Sequence, residues 1–137
     1  MYTYIIHKLF YQSVIRELLI MYREELRQYI FDNYSALPDH PWAKYPDNEV
    51  FRHPNNKKWF AIIMNVPVRR LGLKGTQKID IVNLKCDPIM IGSLRDTPGF
   101  YPAYHMNKDN WITCILDGTV NEDAIKTLLD ISYDTTS

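Results

Sequence analysis

The densest chemistry in the sequence lies in Tyr104-His105-Met106-Asn107-Lys108, where a ring, an imidazole, an amide and an ammonium fall within five residues. Such a set grips an anion or a base edge. The same residues also suit a buried connector whose side chains cap neighbouring backbone groups, and polar loop residues serve both ends. Upstream, Asn83-Leu84-Lys85-Cys86 closes an expected strand and leads into a helix start, a place that holds phosphate or carboxylate with Lys85 as counter-charge. The structural alternative, which we favour here, has Asn83 and Asp87 satisfying backbone donors while Cys86 fills a gap in the core.

Arg69, Arg70 and Lys74 form the clearest local cluster of positive charge, on the loop punctuated by Gly72 and Gly75. A charged β-wing reaches duplex grooves or phosphates, although many such clusters only keep a loop soluble. Trp42, Trp59 and Trp111 offer stacking surfaces, with core packing as their ordinary use. Catalysis finds little support. There is no H-E-x-x-H and no paired-cysteine motif, no glycine-rich phosphate loop, and only Cys86 with His105 as a conceivable nucleophile and base. We therefore expect neither an enzyme nor a bound cofactor, and no metal ligands.

Those residues must be carried by a modest set of elements. Tyr22, Leu26, Tyr29 and Ile30 form a helical stripe, with Arg23, Glu24, Arg27 and Gln28 on the remaining surface, so the pattern predicts an amphipathic helix from Met21 to near Tyr34. Residues 1–20, rich in Tyr, Ile and Leu, read as a helical extension whose apolar stripe would also suit a dimer surface. Three prolines between Leu37 and Pro46 exclude regular structure, and Trp42 argues that the loop is ordered.

Strands are expected over Glu49–His53, Lys58–Val66 and Ile79–Leu84, with Pro54 to Lys57 as a turn. The apolar run from Trp59 to Met64 points to a strand buried on both faces, and the second and third strands to an extended hairpin with a basic tip. Asp87 caps a short helix with Pro88 in its first turn and Ile89, Met90, Ile91 and Leu94 on its apolar side. Pro98, Gly99 and Pro102 then interrupt regular structure until a strand over Trp111–Leu116. Asn121 caps a last helix that docks through Ala124, Ile125, Leu128, Leu129 and Ile131. The fold class is α+β: a two-layer sandwich with one antiparallel sheet, helices mainly on one face, in the order α-β-β-β-α-β-α. Residues 21–137 form the domain.

The 137 residues suit one domain, 46% hydrophobic and 23% charged. Sixteen basic residues balance sixteen acidic ones, which excludes coating of nucleic acid by bulk charge. The distribution is uneven, however: residues 51–117 hold ten Lys or Arg against five Asp or Glu, whereas residues 1–50 hold five against seven and residues 118–137 one against four. Cys86 and Cys114 read as reduced, buried thiols. No apolar run approaches the roughly 18 residues needed to span a bilayer, and the opening stretch lacks a secretory signal pattern, so a cytoplasmic location is expected, with no membrane partner.

Three segments together resemble the MmcQ/YjbR family: Pro41-Trp42 with Lys44, Tyr45 and Pro46; Asn83 through Pro88; and Pro102 through Lys108 followed by Trp111. Arg52-His53, Lys58-Trp59 and Ser132-Tyr133 add to the likeness, which covers about residues 21 to 135 and is most specific from His105 to Lys108. Residues 1–20 lie outside the usual start of the family, as a lineage-specific extension or a misplaced start codon. The resemblance implies a fold similar to the frataxin-like or secretion-chaperone-like sandwich and a double-wing mode of DNA binding.

Two functional expectations follow. One is a small DNA-binding protein in which Arg69, Arg70, Lys74, Lys85 and Lys108 meet phosphates while His105 and Asn107 add polar contacts. The alternative is a non-catalytic module that takes a protein or a small anion in a pocket formed around Trp42, Lys44, Arg52, Lys85, His105 and Asn107.

Overall fold

In the computed structural model, residues 21–137 are described, and the extension expected over residues 1–20 lies outside them. Helix α1 spans Arg23–Tyr34 and is followed by strands β1 (Glu49–Arg52), β2 (Trp59–Pro67) and β3 (Lys78–Lys85). A 3-10 turn, Val68–Leu71, follows β2. Helix α2 (Pro88–Arg95), strands β4 (Phe100–Pro102) and β5 (Trp111–Ile115), and helix α3 (Glu122–Thr136) complete the described residues. The expected order is present with one addition, the three-residue β4 inside the Pro98–Pro102 stretch.

The five strands among the described residues form one antiparallel sheet in the order β1-β2-β3-β5-β4. The three helices among the described residues share one face. Leu26 and Ile30 of α1, Ile91 of α2, and Ile125, Leu128 and Leu129 of α3 pack with Phe51, Phe60, Ile63, Val82, Leu84, Ile112 and Cys114 in one cluster. A bulge opposite Arg52, where Phe51 pairs with Ala61 but Arg52 with Trp59, inserts Phe60 as an extra residue. Phe60 and Ala61 therefore both belong to the helix-side cluster, while Trp59 packs on the opposite face.

Local chemistry explains the helix ends. The Asp87 carboxylate accepts from the Ile89 amide at 2.9 Å, and the Asn121 side chain accepts from the Ala124 amide at 2.8 Å. Three expected core positions move, among them Ile131, which is only partly buried and stands outside the core cluster that Ile125, Leu128 and Leu129 join. Tyr22 is half exposed, because it has extended backbone before α1 and does not follow the helical phase; Met21 is buried instead. Ile89 is 85% exposed, since at 100° per residue it stands nearly opposite buried Ile91.

An ionic cluster ties α1 to the sheet. Glu49 is 3% exposed; Arg23 donates to its Oε1 at 2.8 Å and lies 3.4 Å from Asp80. Arg27 Nε stands 2.9 Å from Oε2 of Glu49, out of line for a hydrogen bond. At the far end of α3, the His53 ring meets the Thr136 hydroxyl at 2.7 Å between the rings of Phe60 and Tyr133.

Candidate ligand trough and basic turn

The face on which no helix of the described residues packs is finished by two loops. Asp39 and Val50 exchange both backbone hydrogen bonds at 2.9 Å, seating the loop of residues 40–48 against the edge strand β1. Trp42 from that loop meets Trp59 edge to face at 5.7 Å. On the other side, the loop after β4 is held by a buried polar clamp. Asn83, fully buried in β3, donates to the Tyr104 carbonyl at 2.9 Å and accepts from the Thr113 hydroxyl, whose oxygen accepts from the Tyr104 amide at 2.9 Å. Both backbone polar groups of Tyr104 are thus fixed, and the next residue, His105, holds a left-handed backbone with φ 57°. Histidine is among the side chains enriched in that region.

Between the loops runs a trough of about 500 Å³. Met64 of β2, between the nearly covered Ile62 and Val66, forms its floor, Trp42, Tyr45 and Trp59 one wall, and Tyr104, His105 and Met106 the other. Pro67, Arg70 and Lys78 close one end. From Val68 to Lys78 the chain carries Arg69, Arg70, Lys74 and Lys78 and no acidic residue. None of the four has a carboxylate within ion-pair distance among the described residues.

Several expected residues converge here and others do not. Trp42 and His105 line the trough. Arg52 sits at its margin, its guanidinium 5.3 Å from the Trp59 ring centre and paired with Asp39 at 3.0 Å. Lys44 is exposed on the same loop as Trp42. The Asn107 side chain accepts from the Asp109 amide at 2.8 Å, and Lys108 Nζ donates to the Ala103 carbonyl at 3.1 Å, so both serve the loop itself. Lys85 ends β3 seven residues from Lys78, about 23 Å at strand rise. Lys85 and Lys108 thus stand at the opposite end of β3 from Arg69, Arg70 and Lys74.

The helix start after Asn83 is occupied by its own Asp87 carboxylate, and Asn83 clamps Tyr104. Cys86 belongs to the helix-side core while His105 lies in the trough, so the sheet separates that pair. Burial pushes the Cys86 thiol up and the Cys114 thiol up to about 12, with Asp87 and Asp117 adding to each. No cluster of three metal-ligating side chains occurs among the described residues. No helix among them is long and apolar enough to cross a membrane.

Sequence reading missed Tyr45, Met64, Met106 and Lys78 as partners in one site. Alternation along β2 was the available signal, since Ile62, Met64 and Val66 must share a face. What leaves that face open is the placement of loops distant in sequence.

One antiparallel sheet with helices on one side and a loop-walled trough on the other defines a small α+β domain with a built concave surface. The chain belongs to the YjbR family, whose model it matches over residues 32–135. It is 42% identical over 111 residues to Bacillus subtilis "Uncharacterized protein YyaQ", covering 81% of this chain and 94% of that protein. A crystal structure of a Pseudomonas syringae protein is similar with a TM-score of 0.84 at 44% identity, over 85% of this chain and 100% of that one. A Deinococcus radiodurans protein at 24% identity shares the fold, with a TM-score of 0.64 over 83% of this chain and 77% of that one.

Proposed function

We propose that this chain is a non-catalytic nucleic-acid-binding protein that meets phosphates with the turn between β2 and β3. One observation carries the reading: four cations, Arg69, Arg70, Lys74 and Lys78, with no intervening acid and no carboxylate partner among the described residues. Charges already paired with carboxylates, as Arg23 and Arg52 are, lose much of their pull on a phosphate; these four keep theirs. The separation of Cys86 from His105 and the protonated thiols support the absence of catalysis.

The test is fluorescence anisotropy with labelled DNA at two salt concentrations, for the native chain and for Arg69, Arg70 and Lys74 all changed to Ala. Affinity falls with salt at a slope of about 0.9 per phosphate neutralised on duplex, and the variant flattens it. Binding indifferent to both salt and variant rejects the reading.

A second reading, a module for a protein or small anion, draws on the trough itself, which joins Trp42 and His105 beside Arg70 and Lys78. Thermal stabilisation by a small anion without any shift from DNA selects it.

A further inference from the structure

We infer that the trough seats unpaired bases of a single-stranded nucleic acid while the adjoining turn holds its phosphates, a refinement that rests on the nucleic-acid reading above. Cations occur at one end of the trough and beyond it: Arg70 and Lys78 border the cavity, and Arg69 and Lys74 continue along the same turn. A ligand with a single anionic group leaves the outer two unused, whereas a strand brings a phosphate with every base.

Length points the same way. Its lining residues on β2 run from Trp59 to Pro67, a backbone span of up to about 26 Å at strand rise, longer than one nucleotide. Its walls are aromatic and thioether side chains, surfaces on which any base stacks. Tyr45 on one wall is 61% exposed. The walls are also fixed in advance. The Asn83–Thr113 clamp holds one loop and the Asp39–Val50 bridge the other, so little ordering is needed on binding.

The recessed floor selects between forms of nucleic acid. A base inside a duplex stays in its stack and reaches such a floor only by flipping out, at a cost of unpairing and unstacking. An unpaired base is spared the cost of unpairing. The inference is therefore a preference for single strands over duplex that depends on the bases and not on charge alone.

The experiment compares three probes of equal length, about ten nucleotides: oligothymidylate, an abasic strand with the same phosphates, and a duplex. Thymidine monophosphate is a fourth probe. Binding is read by anisotropy for the strands and by quenching of tryptophan fluorescence for the monophosphate. The native chain, Tyr45→Ala and the Arg69/Arg70/Lys74 alanine variant are used, each with thermal melting as a check on folding. Oligothymidylate is expected to bind about tenfold or more tighter than the abasic strand, within what stacking a base supplies, and tighter than duplex. Tyr45→Ala narrows the ratio of oligothymidylate to abasic affinity, and the turn variant weakens every strand alike. Equal affinity for thymidylate and abasic strands, lost in the turn variant, overturns the trough inference and leaves phosphate binding standing. Monophosphate binding as tight as the strand overturns it in favour of a free small ligand. No binding by any nucleic acid overturns both readings.

Discussion

On one side of the sheet, three helices bury Phe51, Phe60, Ile63, Leu84 and Cys114 until almost no surface remains. On the other, Ile62 and Val50 are just as buried, yet they lie under loops that leave a trough along β2. Helices satisfy their own backbone and close over a face as continuous apolar stripes. Loops must have each polar group met separately, so the loop side carries the buried Asn83 and Thr113, the left-handed His105 and the open floor around Met64. The helix side stores stability, and the loop side keeps a surface available.

If that division holds, perturbations on the helix side register in thiol chemistry and unfolding, and those on the loop side in local order and binding. The largest effect expected is chemical. With its thiol moved from 9.0 up to about 12, Cys114 holds about a thousandfold less thiolate than an ordinary cysteine at neutral pH, each pKa unit being tenfold. A thiol-disulfide reagent should modify it only in the unfolded chain. The folded state keeps this proton where the unfolded chain releases it, so the contribution of Cys114 to stability is intact below about pH 9 and falls as pH rises towards 12. Rapid modification of the native chain at Cys114 would break the comparison.

Next in size, Phe60→Ala should cost about 3–5 kcal/mol in urea unfolding, because the bulge commits this ring to the helix-side core. Asn83→Ala should cost about 1–3 kcal/mol, the penalty for leaving buried partners unmet, and should speed amide exchange locally at Tyr104 to Met106. Uniform loosening across the sheet would show that the clamp supports the whole fold and not the trough wall. The smallest stability change belongs to the Arg69/Arg70/Lys74 alanine variant, within about 0.5 kcal/mol. On the proposed nucleic-acid reading, its effect should appear instead in the salt dependence of binding, flattened by about one unit of slope for each phosphate contact removed.

Much of this architecture was legible in advance, for identifiable reasons. Asn121 and Asp87 announce helix starts because a side-chain oxygen beside orphan amides is a local interaction. Helical spacing places Leu26, Ile30, Ile125 and Leu129 in the core, and within the apolar run of β2 Phe60 to Ile63 are buried on both faces, while Trp59 and Met64 at its ends stay partly exposed to the trough. The misses have equally local causes. Tyr22 precedes the helical phase, Ile89 stands a half-turn from Ile91, and β4 is a three-residue edge strand whose ladder is supplied entirely by β5. At the site, basic residues were visible one by one, but strand length separates Lys85 and Lys108 from the turn while Lys78 joins it.

The sequence by itself determines the period, the caps, the uneven charge and the family likeness, since all depend on residues near one another along the chain. Only the tertiary structure decides that Trp42, Met64, Lys78 and His105 share one trough, and that Cys86 does not. Those relations pass through the pairing of β2 with β1 and β3 and through the clamp from Asn83 to Tyr104, contacts between residues remote in sequence that form only when the whole sheet assembles.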